Sequence, residues 1–296
     1  MAYCKAVATE GTNWTFCPSM AASILFTLLF VATTAIHVIQ ALYHRTWYCW
    51  VIIVSGLLQT ITYLCRDLSI KYPANETYYV LWFVLILIAS VWTNAFVYMV
   101  FGRLVWRFKY DRSVLGLRAW HYGLVFVIFD IFAFIVQIAG AAQAAGNDVP
   151  EDKVMRGLHI YMGGVGIQQL FILGFCVAVF VFWRDFRRQE AKSIPPHVLG
   201  LVYTLVAVLI LVTIRIIFRL IEYANGLESS IPEHEVYQYA LDSLPMLIAL
   251  VLFNIVHPGR VMPAHETKIP SFPERRRQKR EGVNIQLNPH FASTSV

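Results

Sequence analysis

The chain has 296 residues, of which 58% are hydrophobic and only 14% are charged, and its formal net charge is +6. A typical soluble domain carries about 25% charged residues, so this composition is too apolar to cover a water-exposed surface. The mean hydropathy of +0.58 likewise argues against a soluble globular protein and favours one whose main solvent is lipid.

Seven apolar segments are long enough to cross a bilayer as helices, because a hydrocarbon core of about 30 Å requires roughly 20 apolar residues. The predicted spans are 20–42, 48–65, 78–101, 119–141, 159–183, 198–223 and 236–256, with ends placed to within about three residues. The predicted fold class is therefore all-α, a polytopic membrane protein with a seven-transmembrane-helix bundle over residues 19–257. Residues 1–18 are predicted to be an extracellular N-terminal segment, and residues 258–296 a basic, disordered cytoplasmic tail.

Lysine and arginine residues predict the orientation of the bundle. The loops and tail on one side carry 17 of them, and those on the other side carry 5. The positive-inside rule places the richer side in the cytosol, with the N-terminus outside and the C-terminus cytoplasmic. Glycosylation sequons at Asn13 and Asn75 both fall on the predicted outer side; Asn75 is the poorer acceptor because it lies close to the third span.

The five cysteines are too few for a disulfide framework. Cys4 and Cys17 share the N-terminal segment and could pair in an oxidising compartment. Two alternatives remain at this point: both thiols are free, or one of them pairs with Cys65 near the outer end of the second span.

Ionisable side chains within the predicted spans are candidate functional residues, because each costs roughly 2.5–3.5 kcal/mol to insert into a bilayer. The sixth span carries Arg215, Arg219 and Glu222 at spacings that place them on one helix face. Asp242 in the seventh span is predicted to lie at the depth of these arginines, and Glu235 lies just before it.

A second polar group is predicted nearer the middle of the bilayer. Asp130 and Gln137 share one face of the fourth span, and the fifth span contributes Gln168. The third span adds Asn94 and Tyr98. All these polar residues together are predicted to form one column from the middle of the bilayer to its outer side. At least part of this column could contact a substrate, or the column could be a purely structural ion-pair network that holds the helices together.

The C-terminal half contains a block of residues that resembles a known family. The block comprises Arg215-Ile-Ile-Phe-Arg219, Glu222, Gly226, His234-Glu235-Val-Tyr237, Asp242, Pro245-Met246 and His257-Pro-Gly-Arg260. With Asp130 and Gln137 in the fourth span, it is similar to the fungal RTA-like family, also called the lipid-translocating exporter family. That family includes a sphingoid long-chain base exporter and aminocholesterol-resistance proteins, and the resemblance covers nearly all of residues 18–260.

The resemblance implies a multi-pass protein, usually of the fungal plasma membrane, that exports amphipathic lipids or toxic amphiphiles and so gives resistance. Sphingoid long-chain bases are the substrate class that it suggests, with Asp130, Glu222 and Asp242 available to a cationic head group. Two alternatives belong to other classes: a seven-helix receptor or sensor of lipid or stress signals, and an intramembrane lipid-modifying enzyme.

Motifs for nucleotide, metal or nucleophilic chemistry are absent from the sequence. It contains no phosphate loop, no His-Glu-x-x-His and no Gly-x-Ser-x-Gly, so we expect no catalysis, no cofactor and no metal ion. A metal site formed by His234, Glu235 and Asp242 is an alternative. The basic run 275–280 follows a transmembrane helix, so we expect it to contact anionic membrane lipid at about 1 kcal/mol per basic residue, and not nucleic acid.

Overall fold

The computed structural model describes residues 4–145, 150–189, 196–224, 226, 234–262 and 277. Its helices are α1 (Lys5–Ala8), α2 (Met20–Tyr43), α3 (Trp50–Lys71), α4 (Glu76–Phe108), α5 (His121–Ala144), α6 (Glu151–Gln189), α7 (Pro196–Glu222), α8 (Glu235–Gln238), α9 (Leu244–Ile255) and α10 (Pro258–Val261). A 3₁₀ turn (Trp47–Cys49) precedes α3, and a π-helical turn (Tyr239–Ser243) joins α8 to α9. Strands β1 (Ser113–Val114) and β2 (Leu117–Arg118) form a short antiparallel hairpin between α4 and α5.

Seven of these helical segments are long and apolar enough to cross a membrane. Six are the single helices α2 to α7, and the seventh is composite, running from α8 through the π turn and α9 to α10. The predicted fold class, an all-α seven-helix membrane bundle, is therefore confirmed. The side of the membrane on which each terminus lies stays a prediction. We call the end of the bundle that carries residues 4–18 the N-terminal face, and the opposite end the C-terminal face.

Several helices extend further than predicted, so the expected precision of about three residues is wrong at those ends. Helix α3 ends at Lys71 instead of residue 65, α4 ends at Phe108 instead of residue 101, and α6 begins at Glu151 instead of residue 159. Hydropathy marks where the hydrocarbon core stops, whereas backbone hydrogen bonding continues into the polar interface. Residues 146–149, between the fourth and fifth spans, and most of the predicted tail at 258–296 lie outside the described residues.

The spans pack against their neighbours in chain order, and α9 closes the ring against α2. Helix α4 lies in the interior, where it contacts α3, α5, α6 and α7. Its buried aromatic side chains include Phe101, whose ring centroid lies 5.1 Å from that of Phe175 on α6 and 5.0 Å from that of Tyr122 on α5. Large apolar side chains face outward on every span, as expected for a bundle surrounded by lipid.

Glycines allow the backbones of α5 and α6 to come into direct contact. A Cβ atom added to Gly140 would lie 2.3 Å from the backbone nitrogen of Tyr161, and one added to Gly157 would lie 2.7 Å from the carbonyl oxygen of Gly140. Small residues at helix contacts are the usual means of close packing in membranes, where the hydrophobic effect does not drive helices together. Helices α5 and α6 therefore form a tightly packed pair.

The N-terminal segment folds over the N-terminal face of the bundle. A disulfide joins Cys4 to Cys17, which settles the alternatives left open by the sequence, and Cys65 is a free thiol. The buried indole of Trp14 donates to the carbonyl oxygen of Ser69 at 3.3 Å. Helix α3 is thus tied to the segment that precedes α2.

The two sequons occupy different environments on this face. The side-chain amide of Asn13 donates to the carbonyl oxygen of Pro73 at 3.0 Å, whereas the side chain of Asn75 is exposed. Glycosylation at either residue stays a prediction.

Candidate functional site

Four buried charged side chains meet between α7 and the seventh span, and we call them the arginine network: Arg215, Arg219, Glu222 and Asp242. Nε of Arg215 donates to Oδ1 of Asp242 at 2.5 Å, and Nη2 of Arg219 donates to Oδ2 at 2.5 Å. Nη1 of Arg219 also donates to Oε2 of Glu222 at 3.1 Å. The two positive and two negative charges balance, which is the condition under which buried charges persist.

The π-helical turn places Asp242 in this network. Pro245 lies in the first turn of α9, where its missing N–H is tolerated. Its ring would clash with the carbonyl of Leu241 in a regular α-helix, and the wider turn removes that clash. Asp242 consequently lies in an expanded turn from which each carboxylate oxygen meets a different arginine.

A second ion pair lies nearer the N-terminal face. Nη2 of Arg66 on α3 donates to Oε1 of Glu235 on α8 at 2.7 Å, and Nε donates to the hydroxyl of Tyr239 at 3.1 Å. The guanidinium lies 4.5 Å from the ring centroid of Trp82 and 5.1 Å from that of Trp14. Aromatic faces attract cations most strongly when water is excluded, so the rings stabilise this fully buried charge.

Asp130 lies in a separate polar group between α4 and α5. Its Oδ2 accepts a hydrogen bond from Nδ2 of Asn94 at 3.1 Å and another from the hydroxyl of Tyr98 at 3.0 Å. Its Oδ1 is buried and has no hydrogen-bond partner among the described residues. Both donors are neutral, so they fix the orientation of the carboxyl group without supplying a counter-charge.

The buried carboxylates therefore fall into two kinds. Glu222 and Asp242 are each paired with arginine, whereas Asp130, which is fully buried, forms no ion pair with any described residue. Asp67 on α3 also lacks a basic partner in the described part of the chain, but it is only half-buried and accepts a hydrogen bond from Thr27 at 3.0 Å. Asp130 is thus the fully buried group best able to receive an external cation.

Glutamines continue this polar group towards the N-terminal face. Nε2 of Gln137 donates to Oε1 of Gln168 at 3.1 Å, linking α5 to α6. The residue after Gln168 on α6 is Gln169, whose Nε2 donates to the hydroxyl of Thr213 on α7 at 3.4 Å. These two contacts extend the polar interior from α5 across α6 to α7.

The structure divides the predicted site residues into four sets. Arg215, Arg219, Glu222 and Asp242 meet in the arginine network, Glu235 pairs with Arg66, and Asp130 lies with Asn94 and Tyr98. Gln137 and Gln168 contact each other. The sequence had suggested one continuous column, but Glu235 contacts none of the four network residues through an ion pair in the described structure.

The sequence prediction missed one residue of these sets, Arg66, and did not predict the partner of two others. Arg66 was assigned to a loop because the second span was predicted to end at residue 65, one position before the arginine, whereas α3 continues to Lys71. Asn94 and Tyr98 were recognised as polar, and their four-residue spacing places them on one helix face towards Asp130. Helix spacing alone gave no means of choosing Asp130 as their partner.

A small cluster of histidine and cysteine side chains lies at the C-terminal face. The rings of His44 and His257 stack with centroids 4.9 Å apart, and the thiol of Cys49 lies 3.6 Å from Nε2 of His257. Partial burial, and secondarily the charge of Arg260, lowers the pKa of His44 and so favours the neutral imidazole. No group of three or more metal-ligating side chains occurs in the described ranges, and Glu235 and Asp242 each bind arginine.

Seven apolar spans around buried, largely charge-balanced polar groups define a multi-pass membrane protein. A family model described as RTA1 like protein matches residues 52–265, which is most of the bundle. The chain belongs to this RTA1-like family, as the resemblance of the arginine-containing block had indicated. No solved structure matches the chain.

Three curated relatives come from fungi. A probable lipid transporter, atnI, of Emericella nidulans is 37% identical over 85% of this chain and 69% of its own length. The sphingoid long-chain base transporter RSB1 of Saccharomyces cerevisiae is 26% identical over 86% of this chain and 76% of its own. Protoporphyrin uptake protein 1 of Saccharomyces cerevisiae is 25% identical over 81% and 90%, respectively.

Proposed function

We propose that this protein moves amphipathic lipids with a cationic head group, such as sphingoid long-chain bases, across the membrane. Two relatives are named as lipid or long-chain base transporters, which supports lipid movement as the general activity. The observation that carries the choice of a cationic substrate is Asp130, a fully buried carboxylate without a basic partner in the described structure.

The centre of the bilayer is where a charged head group meets its highest barrier. Moving an ammonium-sized ion from water into a medium of low dielectric constant costs of order 20 kcal/mol in the idealised limit. A fixed carboxylate at that depth lowers the barrier, because it supplies the opposite charge where hydration is lost. Asp130 lies near the middle of α5, and Asn94 and Tyr98 hold it in place.

The arginine network is suited to a different role. Its arginines and carboxylates are already paired in salt bridges, so a cationic head group would have to displace an arginine from Asp242 or Glu222. We therefore assign Arg215, Arg219, Glu222 and Asp242 to holding α7 against the seventh span. In this proposal Asp130 is the substrate-contacting carboxylate.

Three further parts of the proposal concern the direction of transport, the membrane in which it occurs and the chemical fate of the lipid. We propose floppase-type export from the cytosolic to the outer leaflet of the plasma membrane, which would confer resistance to toxic amphiphiles. We propose that the lipid leaves chemically unchanged, so the protein is not an enzyme. The basic run 275–280 lies outside the described residues except for position 277, and we propose that it binds anionic lipid.

The test is a flux assay with the purified full chain in lipid vesicles. Radiolabelled sphingosine should cross vesicles that contain the protein faster than protein-free vesicles, and mass spectrometry should recover it unmodified. Asp130→Asn should abolish the protein-dependent flux, whereas the matched control Asp67→Asn should retain it. Equal flux with and without protein, or full flux in Asp130→Asn, would overturn the proposal.

A further inference from the structure

An apolar groove runs along the outer surface of the bundle between α6 and α7. Its volume is about 440 Å³, and its lining includes Cys176, Phe180 and Trp183 from α6 and Val206, Ile210 and Thr213 from α7. Sites for small molecules typically enclose roughly 300–1,000 Å³ and are mostly apolar with a few polar groups. The groove has the size and the lining of a binding site.

Polar atoms lie at the end of the groove nearer the N-terminal face. The hydroxyl of Thr213 accepts a hydrogen bond from Nε2 of Gln169, and Oε1 of Gln169 is buried without a partner among the described residues. The lining on α6 runs from Cys176 to Trp183, a rise of about 10 Å at 1.5 Å per residue. On α7 it runs from Val202 to Ile214, a rise of about 18 Å.

Cys176 connects the groove to Asp130. The hydroxyl of Tyr98 donates to Asp130 at 3.0 Å, and Tyr98 packs against the residue of α6 that precedes Cys176. The ring of the preceding residue, Phe175, lies 4.6 Å from that of Tyr98. The contacts therefore run from the groove lining at Cys176 through Phe175 and Tyr98 to the unpaired carboxylate.

We propose that the groove between α6 and α7 holds the hydrocarbon tail of the transported amphiphile while its cationic head group reaches Asp130 past Cys176 and Tyr98. This inference rests on the proposed function and names where each end of the substrate lies. An apolar wall facing lipid suits an alkyl chain, and the nearest buried carboxylate without a basic partner suits an ammonium group. The occupant is therefore a single-chain alkyl ammonium lipid taken from the bilayer, not a bulk two-chain phospholipid.

Cys176 provides a direct reporter of occupancy. Among the described cysteines, Cys4 and Cys17 are disulfide-bonded, and Cys49 and Cys65 are buried, so Cys176 is the accessible thiol. We expect sphingosine at ten times its dissociation constant to slow modification of Cys176 by N-ethylmaleimide by about tenfold, by mass action. Phosphatidylcholine at the same concentration should give no protection. Equal protection by both lipids, or none by sphingosine, would overturn the inference.

A matched pair of variants tests the groove in transport. Val206→Trp fills the groove from α7, whereas Val177→Trp adds the same bulk to an exposed position on α6 outside the lining. Val206→Trp should reduce sphingosine flux by about tenfold, comparable to the loss of a well-fitted apolar contact. Val177→Trp should leave the flux unchanged at equal protein content.

The outcomes separate this inference from the proposed function. If the unaltered protein transports sphingosine and Val206→Trp does so equally well, the groove assignment fails while the transport function stands. If the unaltered protein gives no flux but sphingosine still protects Cys176 selectively, transport fails while the amphiphile site stands.

Discussion

Arg66 donates to Glu235 at 2.7 Å and so joins the second span to the seventh at the N-terminal face. The arginine is fully buried beneath Trp14, whereas Glu235 retains some exposure and also accepts a hydrogen bond from the backbone N–H of Ser19 at 2.7 Å. One guanidinium thus connects α3, α8 and the segment before α2. Its loss should affect all three.

The first prediction is that Arg66→Gln lowers the free energy of unfolding by about 3–5 kcal/mol, because it leaves a carboxylate unpaired beneath the N-terminal segment. Denaturant unfolding of the purified protein in detergent measures the change. The control is Lys71→Gln on the same helix, where the side chain is exposed. If the two variants unfold at the same denaturant concentration, the Arg66 pair contributes nothing to stability.

The second prediction concerns coupling within the arginine network. Asp242→Asn and Arg219→Gln should each lower stability by about 3–5 kcal/mol, because each leaves a buried charge uncompensated. The double variant should be less destabilised than the sum of the single variants, because removing both partners leaves fewer unpaired charges. Simple additivity in abundance and in unfolding free energy would show that the pairing is wrong.

The third prediction separates transport from scaffolding at Asp130. Asparagine has nearly the same size and still accepts hydrogen bonds from Asn94 and Tyr98, so folding should survive and surface abundance should stay within about twofold. Growth on a toxic cationic amphiphile should show complete loss of resistance in Asp130→Asn cells. Normal resistance would remove Asp130 from the transport mechanism, and loss of the protein itself would support a structural role.

The fourth prediction concerns the disulfide that closes the N-terminal segment. Cys4 and Cys17 are 13 positions apart, and a loop of that size is worth about 3 kcal/mol in the chain-entropy model. Replacing both by serine should therefore speed hydrogen exchange of the backbone amides in this segment, including that of Trp14. Cys176→Ser, which removes a free thiol elsewhere, should leave those amides as protected as before.

The fifth prediction is the orientation of the bundle. The excess of basic residues on the C-terminal face predicts that this face lies in the cytosol, and a disulfide on the N-terminal face fits an oxidising exterior. An epitope fused after residue 296 should resist protease on intact cells and be digested after permeabilisation. Digestion on intact cells would reverse the orientation.

Hydropathy and helix spacing were sufficient to predict the seven spans and the residues of the arginine network. The spacing of Arg215, Arg219 and Glu222 fixes a common helix face, and the direction of each span fixes which depths can meet. These rules act along one helix and along the membrane normal. They carry no information about which helices are lateral neighbours in the bundle.

That missing information explains the errors at the site. Pairing Arg66 with Glu235 requires knowing that α3 lies beside the seventh span, and hydropathy had already ended the second span one residue before the arginine. The π turn before Pro245 could have been suspected from the proline, but the direction in which it aims Asp242 depends on the position of α7. The groove between α6 and α7 is a property of packing, which hydropathy and helix spacing do not describe.

The glycine contact between α5 and α6 determines how the bundle can open. Because the backbone of Gly140 lies against that of Gly157 and Tyr161, sliding or spreading these two helices would break a fitted interface along its length. The opposite side of α6 borders the groove instead. A widening that admits a head group must therefore come from α7 swinging away from a rigid two-helix unit. Spin labels on α5 and α6 should keep a constant separation during turnover, while labels on α6 and α7 should not.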